Sequence, residues 1–218
     1  MKLRWSLTII AFLIVLSFLT SIYFYPQMPD KLASHWNIRG EADGYTTRFW
    51  GLFLMPIISV VMTLLLIVTP KIDPLKRNVA EFKGTFYGFI ALMVIFLFYL
   101  HLLTILWNLG KRFNMGQLLT PAFSILFYYC GGLVSKAKRN WFIGIRTPWT
   151  LSSDSVWDKT HAIGGRLFKL AGLISILGVI FPDIAFWLVI IPVLLFTVFS
   201  VVFSYILYQK ETKAPKPV

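Results

Sequence analysis

Acid is what this chain has least of. Nine Asp and Glu stand against 21 Lys and Arg in 218 residues, and charged residues of both signs make up only 14% of the sequence, while 57% is hydrophobic. A soluble domain carries about 25% charged residues. A protein core cannot absorb this much apolar surface, so the natural solvent is lipid. Cysteine is nearly absent too. One thiol, Cys130, excludes a disulfide framework and a Cys-based metal site within the chain. The three histidines, His35, His101 and His161, show no His-x-x-x-His zinc spacing, and no Gly-x-Ser-x-Gly elbow, phosphate loop or Gly-x-Gly-x-x-Gly is present. Acidic residues are missing from the middle of every apolar run, where proton-coupled transport often requires one. No cofactor or metal is expected. The net charge of +12 does not form a basic stripe on a soluble face; it sits in loops between apolar runs. Anionic membrane lipids are the expected partner of such loops, with no direct nucleic acid binding.

What is there in abundance is apolar sequence of membrane length. Six runs, near 5–25, 49–69, 84–108, 118–135, 160–180 and 184–208, each hold about 18–25 residues, enough for a hydrocarbon core of about 30 Å. The first follows a basic start like that of a signal peptide. At roughly 20 residues it exceeds a signal h-region of about 7–15, and it ends in Tyr23-Phe24-Tyr25-Pro26 rather than small residues, so it reads as an uncleaved span. The tail from Gln209 onward reads as disordered. With the N-terminus inside, 16 of the 21 Lys and Arg fall in inner segments and five in outer ones. Lys and Arg near span ends are retained in the cytoplasm. The prediction is therefore an all-α, multi-pass protein of the bacterial plasma membrane with six transmembrane helices and both termini cytoplasmic. Residues 1–70 form a two-helix unit with an extracytoplasmic loop at 26–48, and 71–218 a four-helix unit with a cytoplasmic loop at 136–159, the two joined in one membrane domain.

The stretch 136–169 organises the rest, with seven of the 21 basic residues and Trp141, Trp149 and Trp157. It reads either as a topology-setting loop with interfacial Trp anchors or as a folded motif that binds a partner. Pro148 fixes its own φ and biases Thr147 to an extended conformation, after which Ser152 or Ser153 can cap a helix leading through Trp157 and His161 into the fifth span. Trp149 should turn back toward the membrane. Asp154, Asp158 and His161 share a helical face at i, i+4 and i+7; acid–base chemistry is conceivable there, but a cap and a solvated ion pair is the plainer reading. Thr160, Gly164, Ala171, Ser175 and Gly178 fall in one arc of the fifth span and suit close helix packing. His101 reads as an interhelical hydrogen-bonding residue. In the outer loop, Asp43-Gly44 favours a tight turn.

The run NWFIGIRTPWTLSSDSVWDKTHAIGGRLF resembles the signature of the SdpI family, membrane immunity proteins against the sporulation-delaying toxin of Gram-positive bacteria. MPDKLASHWNIRGEADGYTTRFWG resembles the short N-terminal domain that accompanies it. In the first, Arg146, Thr147, Pro148, Trp149, Thr150, Ser152, Trp157, Thr160, His161 and Gly165 sit where the pattern expects them. Two positions depart: Ala33 stands for the usual Pro, and Ala162 for a basic residue that often follows the His. The resemblance implies a protein without enzyme chemistry that protects the producing cell from a secreted peptide toxin at the outer face. It also implies, for at least one member, a cytoplasmic transcriptional repressor held at the membrane. Candidate binding residues are His35, Trp36, Asn37, Gly40, Asp43 and Gly44 outside, and Arg146, Thr147, Pro148, Trp149, Ser152, Trp157, His161 and Gly165 inside. The alternatives are a small-molecule or peptide transporter or efflux protein, which needs polar residues along a path, and a membrane enzyme built on Asp154, Asp158 and His161.

Overall fold

The structure, a computed structural model, describes residues 3–213. In chain order it runs α1 (Leu3–Phe24), β1 (Lys31–Trp36), β2 (Ala42–Thr47), α2 (Arg48–Ile72), α3 (Lys76–Glu81), α4 (Lys83–Asn108), α5 (Met115–Lys136), α6 (Pro148–Ser152), α7 (Asp154–Ser175) and α8 (Ala185–Lys213), with short 3₁₀ turns beside α1, α7 and α8. Six helices, α1, α2, α4, α5, α7 and α8, are long and apolar enough to cross a membrane. The shortest such stretch has 22 residues, about 33 Å of helix. Large apolar side chains face outward along them: Leu65 is 64% exposed, Leu195 61% and Val198 62%. Contiguous apolar surface on this scale belongs against lipid tails. Many of the hydroxyls in the helices are answered locally, although Ser6, Thr63 and Thr160 are buried without a partner among the described residues. Ser17, Thr20, Ser59, Thr104, Ser135, Ser175 and Ser200 each donate to the carbonyl four residues earlier, which supplies the partner that lipid cannot.

Close helix contact comes from small residues. A methyl group added at Gly165 would collide with the Gly131 carbonyl and with Ser135 of α5; one at Gly172 would meet the Ser124 carbonyl and the Tyr128 backbone. Gly164 instead faces Ile145 of the preceding loop and Ser200 of α8. The predicted small-residue arc is thus filled on both sides, with Thr160, Ala171 and Ser175 fully buried. At the other side of the bundle, Ile10 of α1 joins Phe86, Ile90 and Val94 of α4 in a core that also takes in Trp157. His101 of α4 lies 3.1 Å from Ser21 Oγ of α1, which donates to the Leu52 carbonyl of α2 at 2.7 Å, so three helices meet at one polar knot.

The all-α frame of six membrane-length helices is as expected, with a small antiparallel hairpin, β1 and β2, set between α1 and α2. Three sequence expectations change. The tight turn is not at Asp43-Gly44, which lies within β2. It runs Asn37–Glu41, with Gly40 at φ 77°, because the Asn37 side chain collects the turn amides. The fifth span starts at Asp154 rather than near Thr160, because the helix that Ser153 was expected to cap, and does cap by accepting from Val156 N–H at 3.2 Å, runs into it without a break. Gln209–Lys213, expected to be disordered, are the last turn of α8; Glu211 there accepts from Ser153 Oγ at 2.8 and 2.9 Å, tying the turn to the start of α7. The rest of the predicted disordered tail lies outside the described residues.

Candidate functional site

The two polar stretches fold at opposite ends of the bundle. At one end stands the hairpin. Its register pairs Leu32 with Thr46, Ala33 with Tyr45, His35 with Gly44 and Trp36 with Ala42, with irregularities on either side of His35. Gly44 is required where it is, since a Cβ there would run into the His35 side chain. The turn is organised by Asn37, whose Oδ1 accepts from the Arg39 and Glu41 amides at 2.9 and 3.1 Å and whose Nδ2 donates to Glu41 at 3.0 Å. Asn37 and then Arg39 hold the exposed Glu41 carboxyl below its ordinary value. His35 and Asp43 pair through Nδ1 and Oδ1 on the exposed face.

The hairpin is fixed to the helices at four places. Leu32 is buried with Met28, Leu52 and Ile105. Asn108, the last residue of α4, grips the strand: its Oδ1 accepts from the Ala33 N–H at 2.8 Å and its Nδ2 donates to the Ala33 carbonyl at 3.1 Å. That grip uses the departure noted in the sequence, because a proline at 33 would have no N–H to give. Gly40 lies so close to Asn114, the N-cap of α5, that a Cβ would meet its amide group. Trp36 packs edge-on against Trp107 at 5.8 Å, and Arg112 covers the other ring at 4.0 Å.

At the opposite end, the loop after α5 is cross-braced. Asn140, fully buried, accepts from the amides of Phe142 and Ile143 and donates to the carbonyls of Lys138 and Ile143. Asp73, at the end of α2 and 2% exposed, accepts from Leu75 N–H at 2.7 Å and from Trp141 N–H at 2.9 Å. Asn78 of α3 donates to the Arg139 carbonyl at 2.8 Å. Arg139 donates to the Leu151 carbonyl and sits 2.7 Å from Asp154, the carboxylate lying off the Nε–H direction, so this contact is charge pairing. Thr147 is extended at φ −114° and ψ 162°, as the following proline requires, and forms a reciprocal capping box with Thr150 that opens α6 at Pro148. Thr147 Oγ1 also meets Ser204 of α8 at 3.0 Å, and Trp149 packs on Tyr205 of the same helix at 5.1 Å.

Trp157 and His161 form the centre of this loop. Their rings stack at 3.9 Å and 16°. Trp157 Nε1 donates to the Ala137 carbonyl at 2.8 Å. His161 Nδ1 lies 2.8 Å from the Trp157 carbonyl and must donate to it, while Nε2 accepts from Ile145 N–H at 3.0 Å. Both ring nitrogens are committed to backbone, which fixes the tautomer. Gly144, at φ 116°, passes against the ring where a Cβ would strike His161 Nε2. Asp154 and Asp158 are exposed, so the sequence triplet places its two acids at the surface and its histidine inside.

The candidates of the inner loop therefore divide. Thr147, Trp157, His161 and Gly165 are buried; Arg146, Pro148 and Ser152 are exposed and Trp149 half-buried. Arg146 donates from one end of its guanidinium to the Trp141 carbonyl at 2.8 Å, beside Trp141 and Phe142, 49% and 40% exposed. Outside, His35 and Asp43 are exposed, and Trp36, Asn37, Gly40 and Gly44 half-buried. The roles of Asp73, Asn108 and Asn140 were not read from the sequence. Asp73, one of only two acids among four basic residues at 70–83, was signalled by that setting alone.

Helices this apolar, polar groups folded back on their own backbones and irregular chain confined to the two ends define a multi-pass cell-membrane protein. Residues 136–204 match the model of the SdpI/YfhL protein family, and residues 12–60 match a domain of unknown function (DUF1648). The chain is 29% identical over 204 residues, 93% of its length and 96% of the relative's, to the Immunity protein SdpI of Bacillus subtilis (strain 168). The chain is thus similar to the SdpI family. No solved structure matches it.

Proposed function

We propose that this chain is an immunity protein, protecting the cell that makes it from a secreted antimicrobial peptide of the sporulation-delaying kind, which it engages at the hairpin. The observation that carries the reading is the hairpin itself: a β-structure clamped onto helix ends, with Tyr45 62% exposed on β2 and Trp50 50% and Phe49 47% exposed at the start of α2. Rings of this kind bury an apolar face while a polar edge stays wet, which suits a peptide arriving at headgroup level. The charge bias of the loops supports an outer position for this end, and the Bacillus subtilis relative is named for immunity. His35→Ala with Trp36→Ala is expected to lower survival under toxin while the amount of protein in the membrane is unchanged. Full protection by that double variant would remove the hairpin as the contact.

Repressor capture is the finer part of the reading, and exposed Arg146 between Trp141 and Phe142 favours it. Arg and Trp are the residue types that dominate binding hot spots. The planar fork of Arg146 has donors that Lys cannot reproduce. Arg146→Ala is expected to abolish inward signalling at normal expression, with little recovery in Arg146→Lys. Lys138→Ala, an exposed charge in the same loop, should be mild, since one headgroup contact is worth about 1 kcal/mol. Equal phenotypes would reduce the loop to a charge anchor.

A further inference from the structure

A cavity of about 300 Å³ opens at the basic end, between the braced loop and the last two helices. Its walls are residues 144–147 of the loop, Phe168 of α7, and Thr197, Ser200 and Val201 of α8. The loop backbone is pinned on both sides of Arg146. Ile145 N–H donates to His161, and its carbonyl accepts from Thr150 Oγ1. Thr147 N–H donates to the same hydroxyl, and Thr147 Oγ1 meets Ser204. Ile145 itself lies over Gly164. Irregular chain therefore sits beside the spans themselves, where non-helical backbone is tolerated only if protein buries it or it lines a cavity. Thr197 marks the depth: it lies about 20 Å of helix before Lys210, the first charged residue toward the tail. Arg146 and Thr197 are exposed and Val201 is 39% exposed, so the cavity opens sideways to lipid.

The charges around it have one sign. Arg146 spends one guanidinium donor on the Trp141 carbonyl at 2.8 Å, and no carboxylate pairs with it among the described residues. Arg166 and Lys169 flank Phe168, and neither α7 beyond Asp158 nor α8 before Glu211 carries an acid. We infer that this cavity binds one anionic phospholipid, its phosphate on the Arg146 guanidinium at the rim and an acyl chain over Phe168, Thr197 and Val201. Two features choose this occupant. An unpaired guanidinium calls for an anion, and its remaining donors match the oxygens of a phosphate. A wall at mid-span calls for an apolar body that arrives through the bilayer, which neither a soluble protein nor a free phosphate ion has. Basic pockets between transmembrane helices take anionic headgroups in this way. The volume is at the bottom of the range for ligand pockets, roughly 300–1,000 Å³, so the cavity holds part of one chain and the rest of the lipid stays in the bilayer. The inference does not rest on the toxin reading. It bears on the repressor reading, since a protein partner and the lipid phosphate would contend for one guanidinium.

The test uses the full chain in nanodiscs of phosphatidylglycerol and phosphatidylcholine, with no other protein present. Each lipid is supplied in turn with a photo-reactive diazirine on one acyl chain, and the labelled residues are mapped by peptide mass spectrometry. The phosphatidylglycerol probe is expected to label Phe168, Thr197 and Val201 about fivefold more than the phosphatidylcholine probe, the worth of one basic residue beside anionic lipid. Leu65 and Leu195, on outward faces, should take both probes equally. Arg146→Ala is expected to bring the ratio at the cavity down to that at Leu195, and Lys138→Ala to leave it unchanged. Equal ratios at the cavity and at Leu65 and Leu195 in the unaltered chain overturn the site, and that arm needs no variant to fold. A cavity preference that survives Arg146→Ala overturns it as well, since the basic end as a whole would then be gathering the lipid. Loss of the preference in excess inorganic phosphate, but not in chloride of equal ionic strength, gives the guanidinium to a free anion and overturns the lipid. None of these outcomes touches the toxin reading, which survival under toxin decides.

Discussion

Gly165 and Gly132 stand one α-helix apart and carry opposite burdens. A Cβ at Gly165 would enter the backbone of α5, whereas a Cβ at Gly132 would meet nothing within 4 Å. Backbone cannot step aside as a flexible side chain can, so Gly165→Ala should push α5 and α7 apart, at the overpacking cost of about 1–3 kcal/mol. Gly132→Ala should be neutral or stabilise by up to about 1 kcal/mol, because alanine loses less freedom in a helix. Thermal unfolding in detergent checks both, and equal midpoints would deny the interface. His161 makes the same point about chemistry. Its sequence position beside two acids suggested proton transfer, yet both nitrogens are engaged by backbone. The small-residue arc was legible in the sequence because it follows the 3.6-residue period. The inward turn of His161 was not, because it depends on Gly144 and Ile145 returning from the preceding loop.

The hairpin shows how far local pattern reaches at the level of an element. A polar stretch with two glycines announced a turn, but Asp43-Gly44 was the stronger local signal. Asn37 won because its side chain accepts from two turn amides, while Gly44 was needed to clear His35 across the strands. The six membrane helices were legible almost to their ends, since hydropathy depends on no partner. The cap by Asn114 moved the fourth start by a few residues, while the cap by Ser153 was legible beside the proline turn. What holds the hairpin down could not be read, because Asn108 lies 75 residues from Ala33. Asn108→Leu keeps the bulk and leaves the buried Ala33 N–H and carbonyl unanswered, at about 1–3 kcal/mol for each group. Faster hydrogen exchange at the Ala33 amide and a lower unfolding midpoint are expected. Asn108→Asp, which keeps the acceptor, should fall between. Exchange as slow as in the unaltered chain would mean that β1 needs no clamp.

At the scale of the molecule, the two ends differ in kind. One has a hairpin and two short turns; the other has α3, the braced loop and most of the basic residues. If the basic end is cytoplasmic, Ser34→Cys in a Cys130→Ser background should react with a membrane-impermeant maleimide on intact cells, and Lys138→Cys only after permeabilisation; both positions are exposed. The reverse pattern would invert every assignment of inside and outside. Charge counting is well suited to this question, since orientation depends on sums over loops, whereas the bracing of the basic end depends on single pairs distant in sequence. Asp73 is the plainest such pair, and it bears on how the chain is made. Its carboxylate accepts from Trp141 N–H, 68 residues downstream. At about 5–20 residues per second, synthesis leaves Asp73 without that partner for roughly 3–14 s after it is made. A charged group cannot be buried alone, so during that interval the end of α2 must stay wet and unsealed. The first two helices can be threaded into the bilayer early, but their seam at the basic end closes only when the fourth span and the loop behind it have been delivered.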